Sequence, residues 1–327
     1  MKKVIKISST EDGLFLNDFI LSFDSCRSEH ISFLSSALNP FLDISARIIT
    51  TEETQRILSV FNRKPTALIC QYNRSFSVGK LKIELLPSGG ILGGASLFVE
   101  TEGNTLLYAP LLRTKGFASL RSMQLKPANF LIINALHPAN NSLKVKRKNE
   151  IERLVQRVEE DIQNNRWPVV ICPPVGIAQE ISFLFTQRNI PVSVHASIAK
   201  VHKVYESFGS NLGSYSLMRQ NREEASVMLL PQSRFLRMAR GLCSKRPSYL
   251  VQKDFVDAGE PSSCDIDDRF YLNLHADLDE IKSIVLPEVR PKRLLLFGPY
   301  SKVYAEELRM HVPAVSAIFQ NNQPVLF

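Results

Sequence analysis

A histidine and an aspartate two residues apart, His275 and Asp277, form a pair with clear catalytic potential in this chain. A histidine titrates near neutral pH, so it is able to donate or accept a proton. The alternative is structural, because Asp277 and Glu280 have the spacing of a capping box before an apolar-periodic stretch. In that case His275 ends a strand and bonds locally. The pattern leaves both roles open.

Histidines and cysteines are otherwise spaced too widely for a metal site of the usual kind. The six histidines contain no HxH or HxxxH pair, and the five cysteines contain no CxxC pair. We therefore expect no metal and no cofactor. The alternative is a catalytic metal bound at a non-standard site. The odd number of scattered cysteines is typical of reduced thiols in a cytoplasm-like compartment.

Composition restricts the partners. The chain has 327 residues, 44% of them hydrophobic and 22% charged, with a formal net charge of +8. No apolar run approaches the roughly 20 residues of a membrane span, and the first residues alternate like a strand, so we expect neither a membrane segment nor a signal peptide. The charge favours an anionic partner, RNA or DNA, although a basic surface without a partner is equally compatible. We expect a cytoplasmic protein, or a nuclear one if the source is eukaryotic.

The periodicity divides the chain into a strand-rich part and an α/β part. Residues 81–85 and 95–100 alternate at period two, and Glu102-Gly103-Asn104 predicts a hairpin turn to the next strand. A helix is predicted from Thr51. From Ile151 onwards strands and helices alternate, which indicates a parallel sheet with crossover helices. The glycines at 89, 90, 93 and 94 lack the lysine of a phosphate-binding loop, so we expect a tight strand connection there.

Five short segments, taken in chain order, resemble motifs of one protein family. They are residues 90–95 (Gly-Ile-Leu-Gly-Gly-Ala), 131–134 (Leu-Ile-Ile-Asn), 173–180 (Pro-Pro-Val-Gly-Ile-Ala-Gln-Glu), 275–277 (His-Ala-Asp) and 295–298 (Leu-Leu-Phe-Gly). The family is the β-CASP branch of the metallo-β-lactamase superfamily, whose members are RNA and DNA nucleases of mRNA 3′-end processing and DNA repair, including exonucleases associated with DNA ligase. The resemblance implies an α/β fold: an αββα metallo-β-lactamase sandwich (1–150 and 266–327) with an inserted β-CASP α/β domain (151–265).

The resemblance also implies where the ligands of two zinc ions would lie. The ligand positions fall on Ser36, Leu38, Pro40, Phe41, Gly90, Leu111 and Phe297, and the acidic motif falls on Asn134. Zinc requires imidazoles and carboxylates, and at the seven ligand positions only Ser36 offers even a weak ligand oxygen. We therefore expect a degenerate family member in which Leu38, Phe41, Leu111 and Phe297 pack together in the former metal cavity.

Two basic clusters are candidates for nucleic-acid binding. They comprise Lys144, Lys146, Arg147 and Lys148 at the entrance to the middle domain, and Arg234, Arg237, Arg240, Lys245 and Arg246 on and after a predicted helix. A charged linker and a solvated helix face are the alternative interpretation.

The sequence thus favours a catalytically inactive pseudonuclease that binds nucleic acid or acts as a scaffold in RNA 3′-end processing or DNA repair. Inactive members of the resembling family pair with active ones, so the resemblance implies an active paralogous nuclease, or another subunit of the processing complex, as partner. Two alternatives remain: an active RNA or DNA exonuclease or phosphoesterase that uses His275 in a non-standard site, and an interaction module without affinity for nucleic acid.

Overall fold

The computed structural model describes residues 7–10, 13–16, 19–25, 30–38, 47–114, 116–118, 120–136, 146–218, 225–232, 245–252 and 266–318. The chain forms two compact units. Unit 1 comprises Met1–Gly116, Leu120–Ala139 and His275–Phe327, and unit 2 comprises Phe117–Ser119 and Asn140–Leu274. Each unit has its own sheet system.

Unit 1 begins with a six-stranded sheet, sheet A, in which the strands lie side by side in chain order. Strands β1 to β3 pair antiparallel and β3 to β6 pair parallel. Its strands are β1 (Ile7–Thr10), β2 (Gly13–Leu16), β3 (Leu21–Phe23), β4 (Ile31–Phe33), β5 (Arg47–Thr50) and β6 (Thr66–Ile69). Helix α1 (Glu52–Val60) connects β5 to β6.

A second, seven-stranded sheet, sheet B, completes the strands of unit 1. Its order is β19-β18-β11-β10-β9-β8-β7, and the strands from β10 to β19 pair parallel. The strands are β7 (Phe76–Val78), β8 (Leu81–Pro87), β9 (Ala95–Thr101), β10 (Asn104–Ala109), β11 (Phe130–Asn134), β18 (Arg293–Phe297) and β19 (Ala314–Ala317). The predicted hairpin is confirmed, since Thr101 pairs with Asn104 across the turn.

Alternate residues of the sheet B strands enter different cores. Leu106, Tyr108 and Ile132 pack in the core between sheets A and B, while Leu107 and Leu131 pack on the opposite face. That opposite face is covered by α5 (Leu278–Glu280), a π-helical segment (Ile281–Val285), α6 (Leu286–Val289) and α7 (Ser301–Leu308). On the outer face of sheet A, Ile48 packs with Leu58 of α1. Unit 1 therefore has helix, sheet, sheet and helix layers.

Unit 2 is built on sheet C, whose six strands pair only in parallel, in the order β14-β13-β15-β12-β16-β17. Its strands are β12 (Val169–Cys172), β13 (Val192–Val194), β14 (Ser216–Leu217), β15 (Val227–Pro231), β16 (Ser248–Gln252) and β17 (Asp268–Tyr271), and its helices are α2 (Arg147–Gln163), α3 (Ile177–Thr186) and α4 (Ala196–Ser207). The prediction of a parallel sheet with crossover helices is confirmed. The helix predicted at 233–242 lies outside the described residues.

The boundaries between the units differ from those predicted at 150/151 and 265/266. Helix α2 packs on β17, so both elements belong to unit 2, and the boundaries lie at 139/140 and 274/275. Among the described residues, no helix combines the length and hydropathy that crossing a membrane requires.

Candidate functional site

The carboxyl ends of three parallel strands of sheet B bring several candidate residues to one edge. Asn134 ends β11 and is the register partner of Phe297, which ends β18. The segment 110–112 follows β10, the other neighbour of β11. His275 Nδ1 lies 3.0 Å from the carbonyl oxygen of Pro110, and the Ala276 amide donates to the carbonyl of Leu112 at 2.5 Å. The His275–Asp277 segment is therefore fastened to this edge.

Gly90 and Leu111, two of the expected ligand positions, lie in direct contact. Gly90 belongs to the loop 88–94 between β8 and β9, which Ser88 closes by donating its amide to the Gly94 carbonyl at 3.0 Å. A β-carbon on residue 90 would stand 2.9 Å from Cγ of Leu111 and 3.1 and 3.2 Å from its two methyl carbons. Leu111 is fully buried. A histidine at position 90 therefore has no room unless Leu111 moves.

Hydroxyl groups fix the glycine-containing loop. Thr51 and Thr54, at the start of α1, each donate a hydroxyl hydrogen bond to the Gly93 carbonyl at 2.9 Å, and Tyr72 donates to the Gly94 carbonyl at 3.0 Å. Gly93 has φ +77°, and a β-carbon there would stand 2.5 Å from the Thr54 nitrogen, so only glycine fits. The loop is the tight strand connection that was predicted. Thr51 is also the N-cap of α1, as predicted, because its side chain accepts from the Thr54 amide.

The segment after β4 carries Ser36 and Leu38. Ser36 is buried and its hydroxyl accepts from the Leu38 amide at 3.4 Å, while Leu38 is half-buried. Pro40 and Phe41 lie outside the described residues. This segment offers serine hydroxyls and backbone groups, which are poor ligands for zinc.

Phe297 packs in the core between the two sheets. Its ring stacks on Tyr108 with centroids 6.1 Å apart and an interplanar angle of 15°. Leu111 lies beyond the end of β10, against the glycine loop. The expectation that Leu38, Phe41, Leu111 and Phe297 form one packed group stays a prediction, because Phe41 lies outside the described residues.

Beside Phe297, the structure places a buried carboxyl that the sequence did not single out. Asp24 accepts a hydrogen bond from the Tyr108 hydroxyl and one from the Ser35 amide, both at 2.8 Å. Burial, the dominant cause, raises the pKa of Asp24 to about 6, against the lowering effect of these hydrogen bonds. Little in the sequence indicates that Asp24 is a buried carboxyl, because it simply follows a short apolar strand.

His275 and Asn134 line one small cavity. Its volume is about 10 Å³, and Pro110 and Ile281 also line it. Both polar side chains are buried, and Asn134 Oδ1 has no hydrogen-bond partner among the described groups. A cavity of this size admits about one water molecule, so a phosphodiester does not fit.

Asp277 has a helix-capping role. Its carboxylate accepts from the Glu280 amide at 2.8 Å, and the Glu280 carboxylate accepts from the Asp277 amide at 3.1 Å. This capping box, which the sequence left as one of two possibilities for Asp277, starts α5.

The residues at the expected ligand positions do not fit a pair of zinc ions. Gly90, Leu111 and Phe297 carry no lone pair, and Asn134 is an amide where the resemblance implies an acid. In the part of the chain that the structure describes, no three histidine, cysteine, aspartate or glutamate residues are grouped so that they could hold a metal ion.

The basic residues at the start of α2 have unequal surroundings. Arg147 forms an ion pair with Glu180, with side-chain exposures of 17% and 3%, and its Nε donates to the Asn273 carbonyl at 2.8 Å. Lys148 is 86% exposed, with Glu152 at 3.8 Å. Lys146 is also exposed. Of the members of this cluster that the structure describes, Lys146 and Lys148 therefore present a cation to solvent.

The second basic cluster is described in part. Arg246 donates to the carbonyls of Trp167 and Ser226 at 3.4 and 3.5 Å, whereas Lys245 is exposed. The remaining members of the two clusters, Lys144, Arg234, Arg237 and Arg240, lie outside the described residues. Sequence spacing could not distinguish a solvated arginine from one bound to carbonyl groups.

Comparison with known proteins gives distant relatives. No family model matches the chain. It is 24% identical over 243 residues to a probable DNA ligase of Opitutus terrae, a match that covers 74% of this chain and 24% of the ligase. It is 24% identical over 137 residues to an RNase J-like protein of Methanocaldococcus jannaschii, covering 39% of this chain and 32% of that protein. The chain thus spans about a quarter to a third of the length of these relatives.

A solved structure shares the fold. A crystal structure of an Enterococcus faecalis V583 protein of unknown function matches with a TM-score of 0.54 at 15% identity, covering 81% of this chain and 74% of the other. This chain is a mixed α/β protein with three β-sheets and distant homology to the ligase and the RNase J-like protein.

Proposed function

We propose that the chain is a catalytically inactive member of the β-CASP branch of the metallo-β-lactamase superfamily. In this proposal unit 1 is the αββα sandwich, unit 2 is the inserted β-CASP domain, and the protein is a nucleic-acid-binding or scaffolding subunit in RNA 3′-end processing or DNA repair. The layer order of unit 1, the parallel sheet of unit 2 and the distant RNase J-like similarity support the family assignment.

The contact between Leu111 and Gly90 carries the proposal of inactivity. Two-zinc hydrolysis needs ligands that converge on both ions and an open position for the attacking water. Hydrocarbon occupies the space beside position 90, and the burial of a leucine side chain contributes about 1.5–3 kcal/mol to folding. Binding of metal ions here would require charged groups to replace packed apolar side chains, which is unfavourable.

The surroundings of His275 weigh against the alternative of an active phosphoesterase. A general acid must reach the leaving oxygen at hydrogen-bond distance. His275 is buried, lies at hydrogen-bond distance from a backbone carbonyl and faces a cavity of about 10 Å³. Asp277 caps a helix. Both side chains have structural partners that explain their presence.

Affinity for nucleic acid is supported by the charge of +8 and by the exposure of Lys146, Lys148 and Lys245. Each lysine that contacts a phosphate releases a counterion, so affinity must fall as salt rises. We infer sequence-independent contacts to the phosphate backbone at these positions. The binding does not require the zinc chemistry.

Fluorescence anisotropy tests the proposal. A single-stranded RNA and a duplex DNA are each titrated at about 50 and about 200 mM salt, a range over which phosphate contacts weaken measurably. We expect binding without cleavage, and a triple variant Lys146→Ala, Lys148→Ala, Lys245→Ala that lowers the slope of log K against log salt by about one per lost contact. The matched control replaces the exposed Lys80, Lys200 and Lys292 and should leave the slope unchanged. Metal-dependent cleavage by the pure protein refutes inactivity, and equal slopes for both triple variants refute the assigned contacts.

A further inference from the structure

Strand β6 is an edge strand of sheet A whose outer side has no partner strand among the described residues. The Cys70 amide donates to the Thr50 carbonyl of β5 at 2.9 Å. Because backbone groups alternate along a strand, the amide and carbonyl groups of Ala67 and Ile69 point away from β5. These groups form an open row at the edge of the sheet.

Apolar side chains accompany this open row. Leu68 is 53% exposed and Ile69 39% exposed, and Phe61 at the end of α1 is also exposed. Native edge strands are usually protected by charges, bulges or covering segments, because an open apolar edge is a template for another strand. Here Leu68 and Ile69 offer one apolar contact on each face of such an added strand.

The residues that precede and follow β6 in the chain are basic, which favours a partner with acidic residues. Residues 61–80 contain four cations, Arg63, Lys64, Arg74 and Lys80, and no acidic residue. Like charges oppose the addition of a second copy of this strand, while acidic residues on the incoming segment are attracted. The exposed aliphatic side chains favour a peptide over a nucleic acid as the occupant.

The edge is held rigid beyond its carboxyl end. The Tyr72 hydroxyl donates to the Gly94 carbonyl at 3.0 Å, and the Asn73 amide donates to the Leu85 carbonyl at 2.9 Å. The Arg121 guanidinium lies over the Tyr72 ring, 5.1 Å from its centroid. A strand fixed in this way loses little conformational freedom when a peptide binds.

We propose that β6 binds an extended segment of a partner protein, rich in aliphatic and acidic residues, by adding it to sheet A as a further strand. The inference goes beyond the proposed function and does not depend on nucleic-acid binding or on the loss of zinc chemistry. It assigns to unit 1 a protein-binding surface formed by Ala67, Leu68 and Ile69 and flanked by Lys64 and Arg74.

A titration with two model peptides tests this proposal. The probes are a capped octapeptide that alternates valine with glutamate and a second octapeptide that alternates valine with lysine. We expect saturable binding of the glutamate peptide, at least about tenfold tighter than the lysine peptide, a difference that ionic pairing across an interface readily supplies. Amide hydrogen exchange should slow at Ala67 and Ile69. Absence of binding, or equal affinity for both peptides, overturns the proposal.

Two variants connect the binding to the edge. Ile69→Pro removes an outward amide and leaves the bond from Cys70 to Thr50, so it should abolish peptide binding while circular dichroism stays unchanged. The matched control is Leu217→Pro, in edge strand β14 of unit 2, where the next amide, that of Met218, donates inward to Val194 at 3.0 Å. It should bind the peptide normally. If Ile69→Pro does not fold, Arg74→Glu together with Lys64→Glu should weaken glutamate-peptide binding at least tenfold at low salt.

Two further results contradict the assigned occupant. Sedimentation that shows a dimer, lost in the Ile69→Pro variant, assigns the edge to a second copy of this chain. Displacement of the glutamate peptide by an oligothymidylate, with loss of oligonucleotide binding in the Arg74→Glu variant, assigns the surface to nucleic acid.

Discussion

Leu111 lies against Gly90, its Cγ 2.9 Å from the point where a β-carbon on residue 90 would stand. The two residues occupy neighbouring positions at which the resemblance to the β-CASP nucleases implies metal ligands. A leucine side chain and the missing side chain of a glycine thus complement each other in shape. The contact explains why a histidine cannot return at position 90 unless Leu111 moves.

The first prediction is that Gly90→Ala destabilises the protein by about 1–3 kcal/mol, because the added methyl group overpacks a buried site. Leu111→Ala alone should cost about 2–5 kcal/mol through the cavity it leaves. The double variant should be more stable than the sum of the two effects implies, since the small side chain at 111 makes room for the one at 90. Urea unfolding of the four proteins measures the coupling.

A control for this cycle is Gly116→Ala, where a β-carbon would meet Leu120 Cβ at 3.3 Å. This contact is only slightly tight, so the free energy of unfolding should change little. Strict additivity of Gly90→Ala and Leu111→Ala contradicts the contact on which the account rests.

The second prediction concerns Asp24, whose pKa in the folded state is about 6, against the ordinary aspartate value of 3.8. The folded state holds this proton more tightly than the unfolded state does. The free energy of unfolding should therefore fall as pH rises from about 4 to about 6 and then stay level, with a contribution from Asp24 on the order of 3 kcal/mol. Asp24→Asn, which also tolerates the residue's positive φ of 47°, should remove this component.

Urea unfolding of both proteins between about pH 3 and about pH 7, a range that brackets the two pKa values, provides the measurement. Only the difference between wild type and Asp24→Asn is assigned to this carboxyl. A difference that is independent of pH shows that Asp24 ionises in the fold as it does in the unfolded chain.

The third prediction separates two adjacent cations of α2. Arg147→Ala removes the ion pair with the buried carboxylate of Glu180 and should cost about 3–5 kcal/mol of stability. Lys148→Ala, at an 86% exposed side chain, should change stability by less than about 0.5 kcal/mol but lower the salt slope of nucleic-acid binding. Thermal unfolding and anisotropy on both variants measure the two effects. If Arg147→Ala lowers the salt slope and Lys148→Ala lowers the stability, Arg147 is the residue that faces the nucleic acid.

The fourth prediction is that His275 stabilises the edge of sheet B and performs no chemistry. His275→Ala removes the group that lies 3.0 Å from the Pro110 carbonyl and should cost about 1–3 kcal/mol. His275→Asn keeps a donor near that position and should recover part of the loss. Neither variant should change affinity for nucleic acid. A phosphoesterase activity of the wild type that disappears in His275→Ala contradicts this role.

The sequence predicted those features that depend on local patterns. Thr51 and Asp277 cap helices because a short polar side chain precedes acidic residues at the required spacing. The parallel sheet of unit 2 followed from alternating strands and helices. These arrangements are determined by neighbours in the chain, so a single sequence is sufficient to indicate them.

Contacts between distant residues were harder to predict. Phe297 stacks on Tyr108, and the Tyr108 hydroxyl donates to Asp24, because the twist of two facing sheets decides which side chains meet. Arg147 and Lys148 look alike in the sequence, and only the position of Glu180 on another helix makes one of them a buried ion-pair partner. The surroundings of a charged residue depend on the tertiary fold.

The metal content of the protein tests the central claim most directly. The purified chain is incubated with excess zinc, separated from free ions by gel filtration and analysed by inductively coupled plasma mass spectrometry. Because Leu111 and Gly90 fill the position where ligands would converge, we predict far less than one zinc ion per chain. A stable content of about two zinc ions per chain, as in two-metal hydrolases, would contradict the account.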